Sequence, residues 1–203
     1  MIRTRTVALA MLVTGLAAGC GIPADEGPRA VPDEKLPENV DDGAAAADGQ
    51  TMLADLYFTR FDGERGGDVL VTIERAVPTS GSSSTPTPAT VLQALLAGVL
   101  DDDEGADRIV TKIPANTDLA SQPELVGSVL TVDLNSAISG VQGDGALFAY
   151  GQMACTADAL DEVGAVRFTV EGESVAPPAG DGESSAGPLT CDSYANLLAD
   201  PAG

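Results

Sequence analysis

The sequence predicts an α+β fold: one small domain, a mixed or antiparallel sheet with two helices packed on one face, in the order β-β-α-β-β-α-β. Three observations carry this expectation. A run of strand character from Leu53 to Phe61 is broken by Gly63–Gly67 and followed by the alternation of Val69, Val71 and Ile73. Two later segments repeat their apolar residues at helical spacing. Between and after those segments lie short runs with the two-residue period of strands.

The elements follow in chain order. Leu53, Ala54, Leu56, Tyr57, Phe58 and Phe61 form the first strand, and Val69 to Glu74 return as its hairpin partner. A low-complexity loop, Pro78 to Pro88, leads into the first helix, with Thr87 suited to N-cap and Pro88 to the first helical position. Val91, Leu92, Leu95, Leu96, Val99 and Leu100 then share one face, and the acidic run Asp101–Glu104 with Gly105 is the expected stop. Ile109 to Ile113 reads as a short strand halted by Pro114, and Val126 to Leu134 alternates as a half-buried strand. Leu147, Tyr150, Met153, Ala154, Ala157, Leu160 and Val163 place a second helix over 146–163, and Val166 to Val170 is the last strand.

Composition excludes several function classes. Among 203 residues, 10 are Lys or Arg and 31 are Asp or Glu, a formal net charge of −21 that no polyanion such as nucleic acid would attract. No histidine occurs, which removes Ser-His-Asp and Cys-His nucleophile systems, His-ligated zinc and the usual acid/base near neutral pH. Aromatics amount to 3% with no Trp, too few for base-stacking platforms. No enzyme activity, cofactor or metal is expected.

The N-terminus has the order of an export leader. Arg3 and Arg5 supply positive charge, and Val7 to Ala18 form an apolar stretch too short to span a bilayer, which takes about 20 residues. Leu16-Ala17-Ala18-Gly19-Cys20 resembles a bacterial lipobox, in which the cysteine is acylated, palmitate included, and becomes the new N-terminus. Residues 1–19 are then the signal peptide and Cys20 the lipidation site. Its partner is the membrane, and the location is the extracytoplasmic face. Loss of Arg3 and Arg5 leaves 8 basic against 31 acidic residues, a formal charge of −23, so lipid rather than surface electrostatics must hold the chain there. Residues 20–50, rich in Pro, Gly, Ala and acid, read as a disordered linker reaching roughly 30 Å.

Outside the cytoplasm the remaining cysteines, Cys155 and Cys191, are expected to pair as a disulfide stapling a Pro/Gly-rich tail, residues 176–203, to a domain spanning 51–175. Neither lies in a Cys-x-x-Cys motif, which argues against a redox-active pair. Asp101 to Glu104 with Asp107 could hold calcium but lack EF-hand spacing, and a solvated acidic loop is the favoured reading. Asp133 is a tempting carboxylate, but no second one stands at a defined separation, so it is read as the polar face of a strand. The Ser/Thr cluster 79–87 is expected to be a plain flexible loop rather than a glycosylated one.

Three stretches together resemble the GerMN domain family. They are Thr111-Lys-Ile-Pro-Ala-Asn-Thr-Asp-Leu119, then Leu130-Thr-Val-Asp-Leu-Asn135, then Gln152-Met-Ala-Cys-Thr156 leading to Val166-Arg-Phe-Thr-Val-Glu-Gly-Glu173. Gly187 to Thr190 and Asp192 to Tyr194 are similar to a tail of actinobacterial members, so the resemblance covers about 52–197. Cys155 stands where an aromatic residue is frequent. The resemblance implies a small α+β domain similar to ring-building modules of envelope assemblies, without known catalytic residues. The resulting expectation is a membrane-anchored lipoprotein that makes protein contacts in the bacterial envelope, with an envelope protein or a second copy as partner. Capture of a cation or a cell-wall fragment is the alternative.

Overall fold

The structure, a computed structural model, describes residues 50–79, 85–101, 103 and 108–199. The expected signal peptide, Cys20 and nearly all of the linker lie outside the described residues, as do Ser80 to Ser84 and, within the acidic run, Asp102 and Glu104 to Asp107.

Strand β1 (Thr51–Asp62) and strand β2 (Gly67–Pro78) pair antiparallel along their full lengths, from Thr51 opposite Pro78 to Asp62 opposite Gly67. The alternation works as expected: Ala54, Leu56 and Phe58 of β1 and Ile73 and Val77 of β2 are buried, while Thr72, Glu74 and Ala76 face solvent. Helix α1 (Pro88–Leu96) begins at Thr87, whose hydroxyl accepts the Thr90 N–H at 3.3 Å, with Pro88 at its first turn. It buries Val91, Leu92 and Leu95. It stops before Val99 and Leu100, earlier than the apolar pattern predicts, because Gly98 adopts a left-handed φ of +81° and its N–H turns back to the Leu95 carbonyl.

Arg75 closes that helix end. Its guanidinium, 9% exposed as a residue, donates to the carbonyls of Ala94 and Gly98 and pairs with the Asp103 carboxylate, stacked 5.3 Å from the Phe58 ring centre. A cation here complements the partial negative charge of the helix terminus. Burial works against the charged form of Asp103, but the Arg75 guanidinium and the Leu100 N–H outweigh it and hold its carboxyl below the usual range. One member of the expected acidic loop is therefore a buried ion-pair partner rather than a solvated side chain.

The remaining strands are short. Strand β3 (Ile109–Val110) joins β1 opposite Thr59 and Arg60, giving a first sheet ordered β2-β1-β3. Strands β4 (Glu124–Val126), β5 (Val129–Leu134), β6 (Ala165–Val170) and β7 (Glu173–Ser174) form a second sheet in that order. In it β5 and β6 run parallel and the other pairs antiparallel. The α+β class stands, with the strands divided between two sheets. The parallel pair is connected by helix α2 (Asp144–Asp158), the crossover that a parallel pair requires.

Helix α2 organises the core. Every residue from Phe148 to Ala157 is buried, so its surroundings are protein on all sides. Tyr150 meets Phe168 of β6 edge to face at 5.0 Å. Two polar residues one turn apart complete the first sheet where β3 runs out. Thr156 Oγ1 accepts the Tyr57 N–H at 2.9 Å, and Gln152 Nε2 donates to the Tyr57 carbonyl at 3.1 Å while its Oε1 accepts the Lys112 N–H at 2.8 Å. The far end of the chain packs here too. Tyr194 is fully buried against Gly151 and donates its hydroxyl to the Pro178 carbonyl at 3.0 Å, and burial pushes its ionisation well above the ordinary tyrosine range. Leu189 pairs with Val166 on the β6 edge beyond β7, so residues 176–199 cover the sheet as well as the helix.

Candidate functional site

The two later cysteines meet as a Cys155–Cys191 disulfide, joining α2 to the 3-10 helix Cys191–Leu197. Cys155 is 1% exposed and Cys191 half-buried, and both pack against the core. It is a staple in geometry.

Asp133 is a hub for three segments that are far apart in sequence. One carboxylate oxygen accepts from Thr169 Oγ1 at 2.7 Å and from the Gly172 N–H at 2.8 Å, and the other from Ser121 Oγ at 3.2 Å. The Gly172 N–H above all, then the Thr169 hydroxyl, hold its carboxyl below the usual range. Gly172 can present its N–H because Glu171 and Gly172, with φ of 51° and 81°, make the two-residue turn that joins β6 to β7. Asn135 next along caps the 3-10 helix Ser136–Gly140 and donates from Nδ2 to the Asn116 carbonyl at 2.8 Å. The Val-Asp-Leu-Asn run, the Ile-Pro-Ala-Asn-Thr loop and the β6–β7 turn are thus one hydrogen-bonded unit. Asp133 is more than the polar face of a strand.

Beside that unit lies a cleft of about 500 Å³, between the C-terminal end of α1 and the 115–119 loop. Thr117 forms part of its wall, and its hydroxyl is buried with no hydrogen-bond partner among the described residues. A larger, more open basin of about 800 Å³ lies on the tail. Two of its residues bond Gly180: the Asn196 side chain donates to the Gly180 carbonyl, and the Ser193 main-chain carbonyl accepts the Gly180 N–H. Among the described residues no group of three Asp, Glu or Cys side chains could hold a metal ion, and no helix is long and apolar enough to cross a membrane.

The outer edge of β2 is the remaining feature with chemical potential. The Leu70 carbonyl points away from β1 and accepts the Ala199 N–H at 2.9 Å. Thr72, Glu74 and Ala76 share that orientation by the two-residue period, consistent with Tyr57, opposite Thr72, spending its own backbone groups on α2. Their N–H and C=O groups have no partner among the described residues outside the strands. Nothing in the sequence distinguishes this edge, because an edge is a property of the sheet order.

Comparison with known proteins bears on the same elements. The sequence model of the family described as Germane, sporulation and spore germination, matches residues 55–176. The tandem GerMN domains of the sporulation protein GerM from Bacillus subtilis superpose with a TM-score of 0.53 at 16% identity, covering 71% of this chain and 47% of that one. This chain therefore spans about half of the tandem structure. The first GerMN domain of the same protein gives a TM-score of 0.43 at 13% identity, over 74% of this chain and 98% of that one. No curated protein matches in sequence.

Proposed function

The chain belongs to the Germane family of sporulation and spore germination domains, and from that premise we propose that it is a lipoprotein held by Cys20 on the outer face of the membrane, where its domain docks another envelope protein. The outer edge of β2 from Thr72 to Ala76, unpaired among the described residues, carries the docking reading: an exposed strand edge is a template for an added strand, with main-chain hydrogen bonds giving affinity. The Cys155–Cys191 bridge supports export, since such bonds persist in oxidising compartments. Anchoring confines the domain to a layer above the lipid and raises its effective concentration toward partners there.

The test is crosslinking in intact cells with three chains: wild type, Cys20→Ala and Glu74→Pro. The Glu74 N–H points outward, so proline there removes a docking donor and blocks the edge while the β1–β2 ladder survives. Docking through this edge predicts crosslinks for wild type and none for Glu74→Pro at an unchanged melting temperature, and acylation at Cys20 predicts that labelled palmitate fed to the cells is carried by wild type and absent from Cys20→Ala. Crosslinks retained in full by Glu74→Pro would sink the edge reading, and an unlabelled wild-type chain or a labelled Cys20→Ala would sink the anchor.

A further inference from the structure

We infer that the free stretch of the β2 edge takes an extended segment with a lysine or arginine at its centre, set opposite Glu74. This rests on the edge reading above and names the chemistry of the partner. Two features fix the length of the frame. At one end the chain's own tail occupies the edge: Leu198 bridges Leu70 in parallel, and Ala199 donates to the Leu70 carbonyl at 2.9 Å. At the other end Pro78 is the next outward position and has no N–H to give. Between them the outward-pointing residues are Thr72, Glu74 and Ala76. An added strand of about five residues therefore has its middle residue opposite Glu74.

Residues directly opposite in a ladder carry their side chains on the same face. Row by row, that face holds Tyr57 beside Thr72, Asp55 beside Glu74 and Leu53 beside Ala76. Asp55, Thr72, Glu74 and Ala76 are exposed, and Leu53 is 63% exposed. The middle row is thus two carboxylates directly opposite each other, an arrangement that destabilises a sheet. Neither is ion-paired among the described residues; Arg75 pairs with Asp103 and Lys112 with Asp68, away from this row. A cation on a third strand extends the row and turns an uncompensated repulsion into an attraction. Glu74 then stands one strand spacing from it, about 5 Å, and Asp55 two spacings, about 10 Å, which is the screening length at 0.1 M salt, so Glu74 supplies most of the effect. The apolar row of Leu53 and Ala76 suits an apolar residue two places from the cation. Charge also decides against a second copy as the occupant. In a two-fold pairing centred on this frame Glu74 faces Glu74, and a slip of one pair leaves the two about 7–8 Å apart on one face.

The probe is the acetylated and amidated pentapeptide Val-Thr-Lys-Thr-Val, whose palindromic order presents the same face in parallel and antiparallel pairing. It is titrated into the full chain while the backbone amide resonances of Thr72, Glu74 and Ala76 are followed, beside peptides with norleucine or Glu in place of Lys. Saturable shifts are expected. The Lys form should bind about two- to fivefold more tightly than the norleucine form, the value of one cross-strand ion pair, and the Glu form most weakly. Glu74→Gln should erase that preference and Asp55→Asn reduce it in part. Salt at about 1 M, where the screening length is about 3 Å, should bring the ratio toward one. Thr72→Pro keeps both carboxylates and removes an outward N–H, so it should abolish the shifts with every peptide while resonances elsewhere stay in place. Shifts that survive Thr72→Pro would mean charge attraction without strand addition and would overturn this inference together with the edge reading. Equal binding of the norleucine form, or a preference unchanged in Glu74→Gln, would overturn the basic partner and leave the edge open to other strands. Absence of saturable shifts with all three peptides overturns the inference too, and the crosslinking of Glu74→Pro then judges the edge by itself.

Discussion

Gln152→Leu is the substitution whose cost the structure sets most directly. The side chain is fully buried and holds two main-chain groups of different segments, the Tyr57 carbonyl at 3.1 Å and the Lys112 N–H at 2.8 Å. Leucine fills much the same volume, so the cavity contribution is small and the loss is that of two orphaned groups. Each costs about 1–3 kcal/mol, so the variant should lose about 2–6 kcal/mol, out of roughly 5–15 kcal/mol for a domain. Urea unfolding followed by circular dichroism measures it. Thr156→Val removes the acceptor for the Tyr57 N–H and should cost about 1–2 kcal/mol. Because both side chains act on Tyr57, the double variant should lose less than the sum of the two. Gln152→Glu adds a sign that packing alone cannot mimic. The introduced carboxyl can donate to the Tyr57 carbonyl only when protonated, so the folded state raises its pKa, and the deficit relative to wild type shrinks as pH falls. A Gln152→Leu loss below about 0.5 kcal/mol, within the range of ordinary surface substitutions, would refute the idea that α2 side chains finish the β1 ladder.

Three further outcomes are expected. Replacing Cys155 and Cys191 together by alanine opens a loop of 36 residues' separation, and the chain-entropy relation gives a loss of about 4 kcal/mol, checked against the reduced wild-type chain in the same urea experiment. On acidification, Asp133 should contribute stability that is present above its ordinary value of 3.8 and lost as pH falls through its lowered folded-state value. Asp133→Asn cannot titrate, so its unfolding midpoint should fall less steeply than that of wild type as pH drops below the ordinary aspartate value of 3.8. An acid limb of unchanged steepness would remove Asp133 from the account. Gly151→Ala should destabilise by about 1–3 kcal/mol, the range for overpacking, because its Cβ would sit 3.2 Å from Leu70 Cδ1 and 3.2 Å from the Tyr194 ring. A melting temperature equal to wild type would show that the tail yields there.

What the sequence reveals and conceals divides along the range of the interactions. The β1–β2 hairpin and the start of α1 are legible because alternation, a glycine-bounded break and a Thr-Pro cap are local in origin. The end of α1 is misread by its pattern: Val99 and Leu100 keep the helical spacing, yet a single left-handed residue at Gly98 ends the helix, and the terminus is then held by Arg75 from β2. The two-residue period puts Arg75 on the inward face with Val69, Val71 and Ile73, and only its partners explain a cation there. Gln152 and Thr156 lie off the apolar set that marks the second helix, and only the shortness of β3 turns them into sheet partners. The tail looks like low-complexity chain because Pro and Gly dominate it, although Tyr194 and Leu197 were the available sign that it packs. The cleft has no sequence signature at all. What marks it is a hydroxyl deprived of partners, and that depends on how the 115–119 loop, knitted to β5 through Asn116 and Asn135, is carried against the end of α1.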